Sequence, residues 1–76
     1  MDNKNQDISM FVSFCIEQYK NEKQLSGEQA MRYLDKYGVL SYLAQHYEVL
    51  HTQGHRWILR DIDEYINIRK KAEVNA

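Results

Sequence analysis

Apolar residues along this chain recur every three to four positions, and polar or glycine-bearing stretches separate the recurring runs. Ile8, Phe11, Val12, Cys15, Ile16 and Tyr19 follow the spacing i, i+3, i+4, i+7, i+8, i+11, which sets all six on one stripe of an α-helix over about 7–22. Met10 and Phe14 widen that stripe and predict contact with two neighbours. Asp7 is placed to cap the free N–H groups at the start. The polar run from Lys20 to Gln24 ends the helix.

A second helix is predicted from Ser26. Ser26-Gly27-Glu28-Gln29 has the form of a capping box, a hydroxyl followed three residues later by Gln. Ala30, Met31, Leu34 and Tyr37 form its inner face, and Gly38 ends it, because glycine enters the left-handed conformation without a Cβ penalty. Val39 then packs back on Leu34. A third helix over about 40–51 turns Leu40, Leu43, Ala44, Tyr47 and Leu50 inward. A fourth, over about 55–70, carries Ile58, Leu59, Ile62, Tyr65 and Ile66, with Lys70 and Lys71 in its last turn, where cations suit the helix dipole.

The stretch HTQGHRW at 51–57 admits a rival reading. Asp61-Ile62-Asp63-Glu64 also has capping-box form, so the last helix has an alternative start at Asp61. Residues 47–60 would then be a hairpin turning on Gln53-Gly54-His55, with Tyr47, Val49 and His51 sharing a face with Trp57 and Leu59. The result would be winged-helix-like. The helical reading is preferred, because the 3.6-residue period persists through Ile58 and Leu59 while the strand alternation is untidy. The expected fold is therefore all-α, a compact bundle of four short helices. One domain spans 7–71, between disordered tails at 1–6 and 72–76.

Size and charge narrow the function. With 76 residues the chain suits one small domain, which buries only about 60% of its unfolded surface. Ten basic against eleven acidic residues give a net charge of −1, an unfavourable balance for nucleic acid or a membrane surface. The single cysteine, Cys15, has no intrachain partner and fits a reducing compartment. The polar start resembles no signal peptide, and no apolar run approaches the ~18 residues of a membrane span. A cytoplasmic location is expected, with no membrane association.

The chain carries residues for four chemistries. His51 and His55 are four apart, and His46 with Cys15 would complete a tetrahedral zinc set. Gly54 interrupts the helical face between the pair, however, and no Cys-x-x-Cys or His-Glu-x-x-His motif is present. Helix-end histidines with ordinary hydrogen bonds are the simpler reading. A Cys–His nucleophile would use Cys15, but its place in the apolar stripe makes it a small hydrophobe with a raised pKa. Asp61, Asp63 and Glu64 cluster, yet a solvated helix-capping face explains them, and no glycine-rich phosphate loop exists. A helix-turn-helix through Gly38 has suitable lengths, but the exposed Ser41, Tyr42, Gln45, His46 and Glu48 offer no Lys or Arg to DNA. No catalytic residue, cofactor or metal is expected, and the chain is not read as an enzyme.

Six tyrosines and one tryptophan are many for a core this small. Tyr33, Tyr42 and Trp57 are expected to be least covered. With His51 they are the candidate partner-binding residues, since Tyr and Trp concentrate at binding hot spots. Amphipathic rim residues with hydrated hydroxyls are the plainer alternative.

The segments FVSFCIEQY, LSGEQAMRYLDKYGVLSYL, HYEVLHTQG and DIDEYI together resemble the small bacterial family known as domain of unknown function 3791. The resemblance covers about 8–69. Its most specific part is Tyr47…Leu50-His51-Thr52-Gln53-Gly54 followed by Asp61-Ile62, and it brings no catalytic motif. Members of that family are often encoded beside a second uncharacterised family suspected of an ADP-ribosyltransferase-like fold. That neighbourhood resembles a toxin–antitoxin arrangement. The resemblance therefore implies a small neutralising or accessory protein, partnered by an adjacent-gene product. In the resembled family the position of His55 is often acidic, which would open the last helix with a capping box at Thr52; His55 departs from that pattern. The resulting expectation is a non-catalytic protein-interaction module that binds a protein partner or itself, antitoxin-like in its sharper form. A DNA-binding helix-turn-helix regulator, with a hairpin at 47–60 and a basic stripe of Arg32, Lys36, Arg56 and Arg60, is the alternative.

Overall fold

In a computed structural model, which describes residues 4–75 and the side chains of 4–73, five helices follow one another. They are α1 (Lys4–Lys23), α2 (Gly27–Lys36), α3 (Val39–Gln45), α4 (Tyr47–Leu50) and α5 (His55–Asn75). The all-α reading holds, and among the described residues there is no strand. Of the expected tails, residues 1–3 and 76 lie outside the described residues. Lys4 to Gln6 already belong to α1, and 72–75 continue α5, so the helical body extends beyond 7–71 at both ends. Asp7 consequently lies within the first turn of α1 instead of capping it, and Lys70 and Lys71 lie inside α5 instead of in its last turn.

Each junction has a local cause. At the end of α1, Gln24 takes the left-handed conformation (φ 57°), and the Leu25 N–H reaches back to the Lys20 carbonyl at 3.0 Å. This is the usual helix stop made without glycine. Ser26 then caps α2 as its sequence predicts: its Oγ accepts from the Gln29 N–H at 3.1 Å, and Gln29 Oε1 accepts from the Ser26 N–H at 2.9 Å. Gly38, at φ 73°, turns the chain from α2 into α3.

The hairpin alternative at 47–60 is not formed. The N–H groups of Leu50 and His51 donate four residues back, to His46 and Tyr47, each at 2.9 Å, and the Gln53 N–H donates to Leu50 at 3.0 Å. With those donors satisfied along the chain, no cross-strand ladder can use them. The expected third helix is instead divided at His46 (φ −107°, ψ 22°) into α3 and the single turn α4. Thr52 closes this section, its hydroxyl donating to the Val49 carbonyl at 2.7 Å, and so does not open α5. That helix begins at His55, its first turn closed by the Ile58 N–H on the Gly54 carbonyl at 3.1 Å.

All five helices contribute to one core, α4 through Leu50 alone. Leu34, Leu43, Ile62 and Val39 are fully enclosed, and Cys15, Tyr19, Ala30, Tyr37, Leu50, Ile58 and Ile66 complete the buried set. Each large aliphatic side chain buried this way contributes roughly 1.5–3 kcal/mol. The predicted inner faces are correct along their centres and too wide at their edges. Met31, expected inward, is 48% exposed, and Met10 and Phe14, expected to meet a neighbour, are 64% and 45% exposed. α1 does pack on more than one helix, but through its Cys15–Tyr19 side.

Candidate functional site

A groove of mixed chemistry, about 570 Å³ in volume, lies where α1, α2 and α5 meet. Its floor is set by Tyr19, buried in the last full turn of α1, and by Ile66 of α5. Tyr33 of α2 forms a wall, its ring 6.2 Å from that of Tyr19 and near-parallel, and 5.2 Å edge-on from that of Tyr37. Lys70, one turn beyond Ile66, places its ammonium 5.3 Å from the centre of the Tyr33 ring and 5.8 Å from that of Tyr37. A cation there is held by the negative faces of the rings. Lys23 donates to Asp63 Oδ2 at 2.9 Å and bridges α1 to α5 across the groove. Burial raises the pKa of the Tyr19 hydroxyl far above its ordinary value, and the nearby Asp63 charge adds to the effect. Tyr19 is therefore a neutral phenol at physiological pH.

A second, polar cleft of about 340 Å³ continues along the same seam between α1 and α5 and also contains Asp63. Gln18, Asn21 and Glu22 form its α1 wall, and His55, Arg56 and Arg60 its α5 wall.

The four candidate partner-binding residues are dispersed. Tyr33 lines the groove and Trp57 is 47% exposed near the start of α5. Tyr42 is half-buried, stacked 4.3 Å from Tyr65, with its hydroxyl donating to Asp61 at 2.6 Å. It is better covered than expected. His51 is exposed and stacks 4.3 Å from Tyr47, whose carbonyl accepts from His51 Nδ1 at 2.7 Å. No ring contact joins any two of the four.

The other constellations are also separated. Cys15 is enclosed in the core, where burial pushes its thiol up to about 12, while His46, His51 and His55 are all exposed. Among the described residues no group of three or more His, Cys, Asp or Glu is placed to hold a metal ion. The basic stripe is not continuous: Arg32 pairs with Glu28 at 2.7 Å and Lys36 lies over the Tyr37 ring, while Arg56 and Arg60 line the polar cleft.

The sequence does not point to Lys70, Tyr19 or Lys23 as site residues, and it presents Asp63 only as part of a solvated acidic cluster. One signal was available: Asp63, Ile66, Asn67 and Lys70 follow i, i+3, i+4, i+7, so they share a flank beside the buried Ile62 stripe. The partners on α1 and α2 follow only from the packing.

These features define a small all-α domain with a tyrosine-walled groove on one side and a buried thiol in its core. Among the described residues no helix is long and apolar enough to cross a membrane. A family model described as "Protein of unknown function (DUF3791)" matches residues 10–69, and the chain belongs to that family. No curated protein and no solved structure matches it.

Proposed function

We propose that this domain is a non-catalytic protein-interaction module, and that its sharper form is the antitoxin-like partner of an adjacent-gene toxin. The observation that carries this reading is the groove between α1, α2 and α5. It offers aromatic walls, an apolar floor and a cation on its rim in one concave surface. Such a mixture suits a partner's side chains. Uncovered apolar side chains on other faces, Met10 and Phe14 on α1 and Trp57 on α5, extend the surface available to a partner. An interface of ordinary size covers about 800 Å² on each side, a sizeable fraction of the 5553 Å² this domain exposes.

The antitoxin-like form rests on the genomic neighbourhood implied by family resemblance. Its test is co-purification of the tagged domain with the adjacent-gene product, followed by light scattering on the complex. A stoichiometric complex is expected. A domain that retains no neighbouring product and scatters as a monomer would remove this reading.

A further inference from the structure

The tyrosine groove and the polar cleft are two ends of one seam, separated by the Lys23–Asp63 bridge. Resting on the interaction reading, we infer that this seam binds an extended acidic peptide segment of a partner protein. The segment carries a pair of carboxylates at one end and an apolar or aromatic side chain at the other.

Charge decides the class of occupant. Four cations line the seam (Lys23, Arg56, Arg60 and Lys70) against two carboxylates, Glu22 and Asp63, so it is locally +2 with His55 neutral. The whole chain is −1. Asp63 is already satisfied by Lys23. Among the described residues no carboxylate lies within ion-pair distance of Arg56 or Arg60. They are four apart and line one cleft, so two carboxylates on adjacent or alternate residues of an extended strand can be met by two guanidinium forks.

The other end is different in kind. Leu25, Tyr33 and Ile66 give it apolar walls, and Lys70 sits over the tyrosine faces. A Phe, Tyr or Leu side chain fits there, with one further carboxylate in reach of the ammonium. From Arg60 to Ile66 the helix rises roughly 9 Å, which an extended strand covers in about three residues. The segment therefore carries its acid pair about three residues from its apolar anchor. Single-stranded nucleic acid fits less well. Base stacking needs free ring faces, and the Tyr33 ring is already engaged by Tyr19, Tyr37 and Lys70.

Selection from a displayed library of random short peptides, roughly seven to twelve residues long, tests the assignment on the intact chain. Winners are expected to combine two or more Asp or Glu with one Phe, Tyr, Trp or Leu at the stated spacing. Arg56→Glu/Arg60→Glu should weaken the winning peptide about tenfold or more, and Lys70→Glu by several-fold. All three positions are exposed, so circular dichroism should be unchanged. Basic or uncharged winners, no enrichment, or equal binding to the charge-reversed variants would overturn the assignment. So would an oligothymidylate that binds as tightly as the best peptide. If the adjacent-gene product binds wild type and charge-reversed variants alike, the interaction reading stands and the seam is not its site. If acidic winners emerge but the adjacent-gene product does not bind, the seam stands and the antitoxin-like form falls.

Discussion

The Tyr42 hydroxyl donates to Asp61 Oδ2 at 2.6 Å, fastening α3 to α5. Tyr65 stacks on the Tyr42 ring at 4.3 Å, and the Arg69 guanidinium covers Tyr65 at 4.8 Å, so the bond ends a column of cation and rings along one side of α5. Tyr42→Phe keeps the ring in that column and deletes only the donor. A hydrogen bond to a carboxylate contributes roughly 1.5–3 kcal/mol when well buried, and a half-buried one less. The expected loss is about 1 kcal/mol in urea unfolding at pH 7, with the slope unchanged.

The same pair has a pH signature. The hydrogen bond to Asp61, with burial adding to it, pushes the Tyr42 phenol up to about 12. The protonated phenol is the stabilising form. Its contribution is complete below the unfolded-state value of about 10 and is lost as pH rises through about 12. The difference between wild type and Tyr42→Phe should therefore be constant from pH 7 to about 9.5 and shrink at pH 11. Urea midpoints at these values measure it; a difference that holds or grows at pH 11 contradicts the assignment.

Two turn positions should respond in opposite directions. Gln24 holds a left-handed conformation at φ 57°, which disfavours a side chain by about 1–2 kcal/mol. Gln24→Gly relieves that strain, and the greater freedom of glycine in the unfolded chain returns about 0.5–1 kcal/mol of it. A net gain of up to about 1 kcal/mol is expected. Gly38 has the same backbone sign, at φ 73°. A Cβ there would meet only the mobile tip of Arg69, 3.5 Å away, so the penalty of Gly38→Ala is conformational. A loss of about 1–2 kcal/mol is expected. Thermal unfolding of the two variants beside wild type checks both signs.

Gln24 and Met31 mark where the sequence was legible and where it was not. The capping box at Ser26 and the turn at Gly38 are local devices, written in consecutive residues, and both form as read. The polar run Lys20 to Gln24 marks the end of α1, which falls there, at Lys23, but no glycine announces the left-handed turn at Gln24 that closes it. Met31 shows a different limit. Helical period tells which side chains share a face, but the width covered depends on what packs there. Ala30 and Leu34 are enclosed, while Met31, one position round from Ala30, is 48% exposed. Met10 and Phe14 miss the core for the same reason. The groove was legible only as a surplus of tyrosines. Lys70 was read against the dipole of its own helix, whereas its neighbours are rings on α2, and sequence spacing carries no such distance.

That contrast predicts unequal responses to truncation. Ile62 is completely enclosed between α5 and the rest of the core. Ile62→Ala removes apolar contact and leaves a cavity, a loss of about 2–5 kcal/mol. A domain of this size has only roughly 5 kcal/mol or so in hand, so this variant should be partly unfolded at 37 °C. Met31→Ala should shift stability by less than about 1 kcal/mol. Similar losses from the two substitutions, read by circular dichroism against temperature, would contradict the burial pattern.

Cys15 offers the sharpest test of the core itself. It is 1% exposed, and burial pushes its thiol up to about 12. At pH 8 only about one molecule in ten thousand carries the reactive thiolate, against about a quarter for an ordinary free cysteine. Labelling by a disulfide reagent should therefore be very slow in the native protein and should accelerate with urea in step with opening of the fold. Replacement should follow the same logic. Cys15→Ala leaves a small void, whereas Cys15→Ser brings a hydroxyl into surroundings built for an apolar sulfur. An unsatisfied buried hydroxyl is disfavoured by about 1–3 kcal/mol, so the serine variant should be the less stable of the two. Rapid labelling without denaturant, or a serine variant as stable as wild type, would mean that α1 does not seat Cys15 in the buried core.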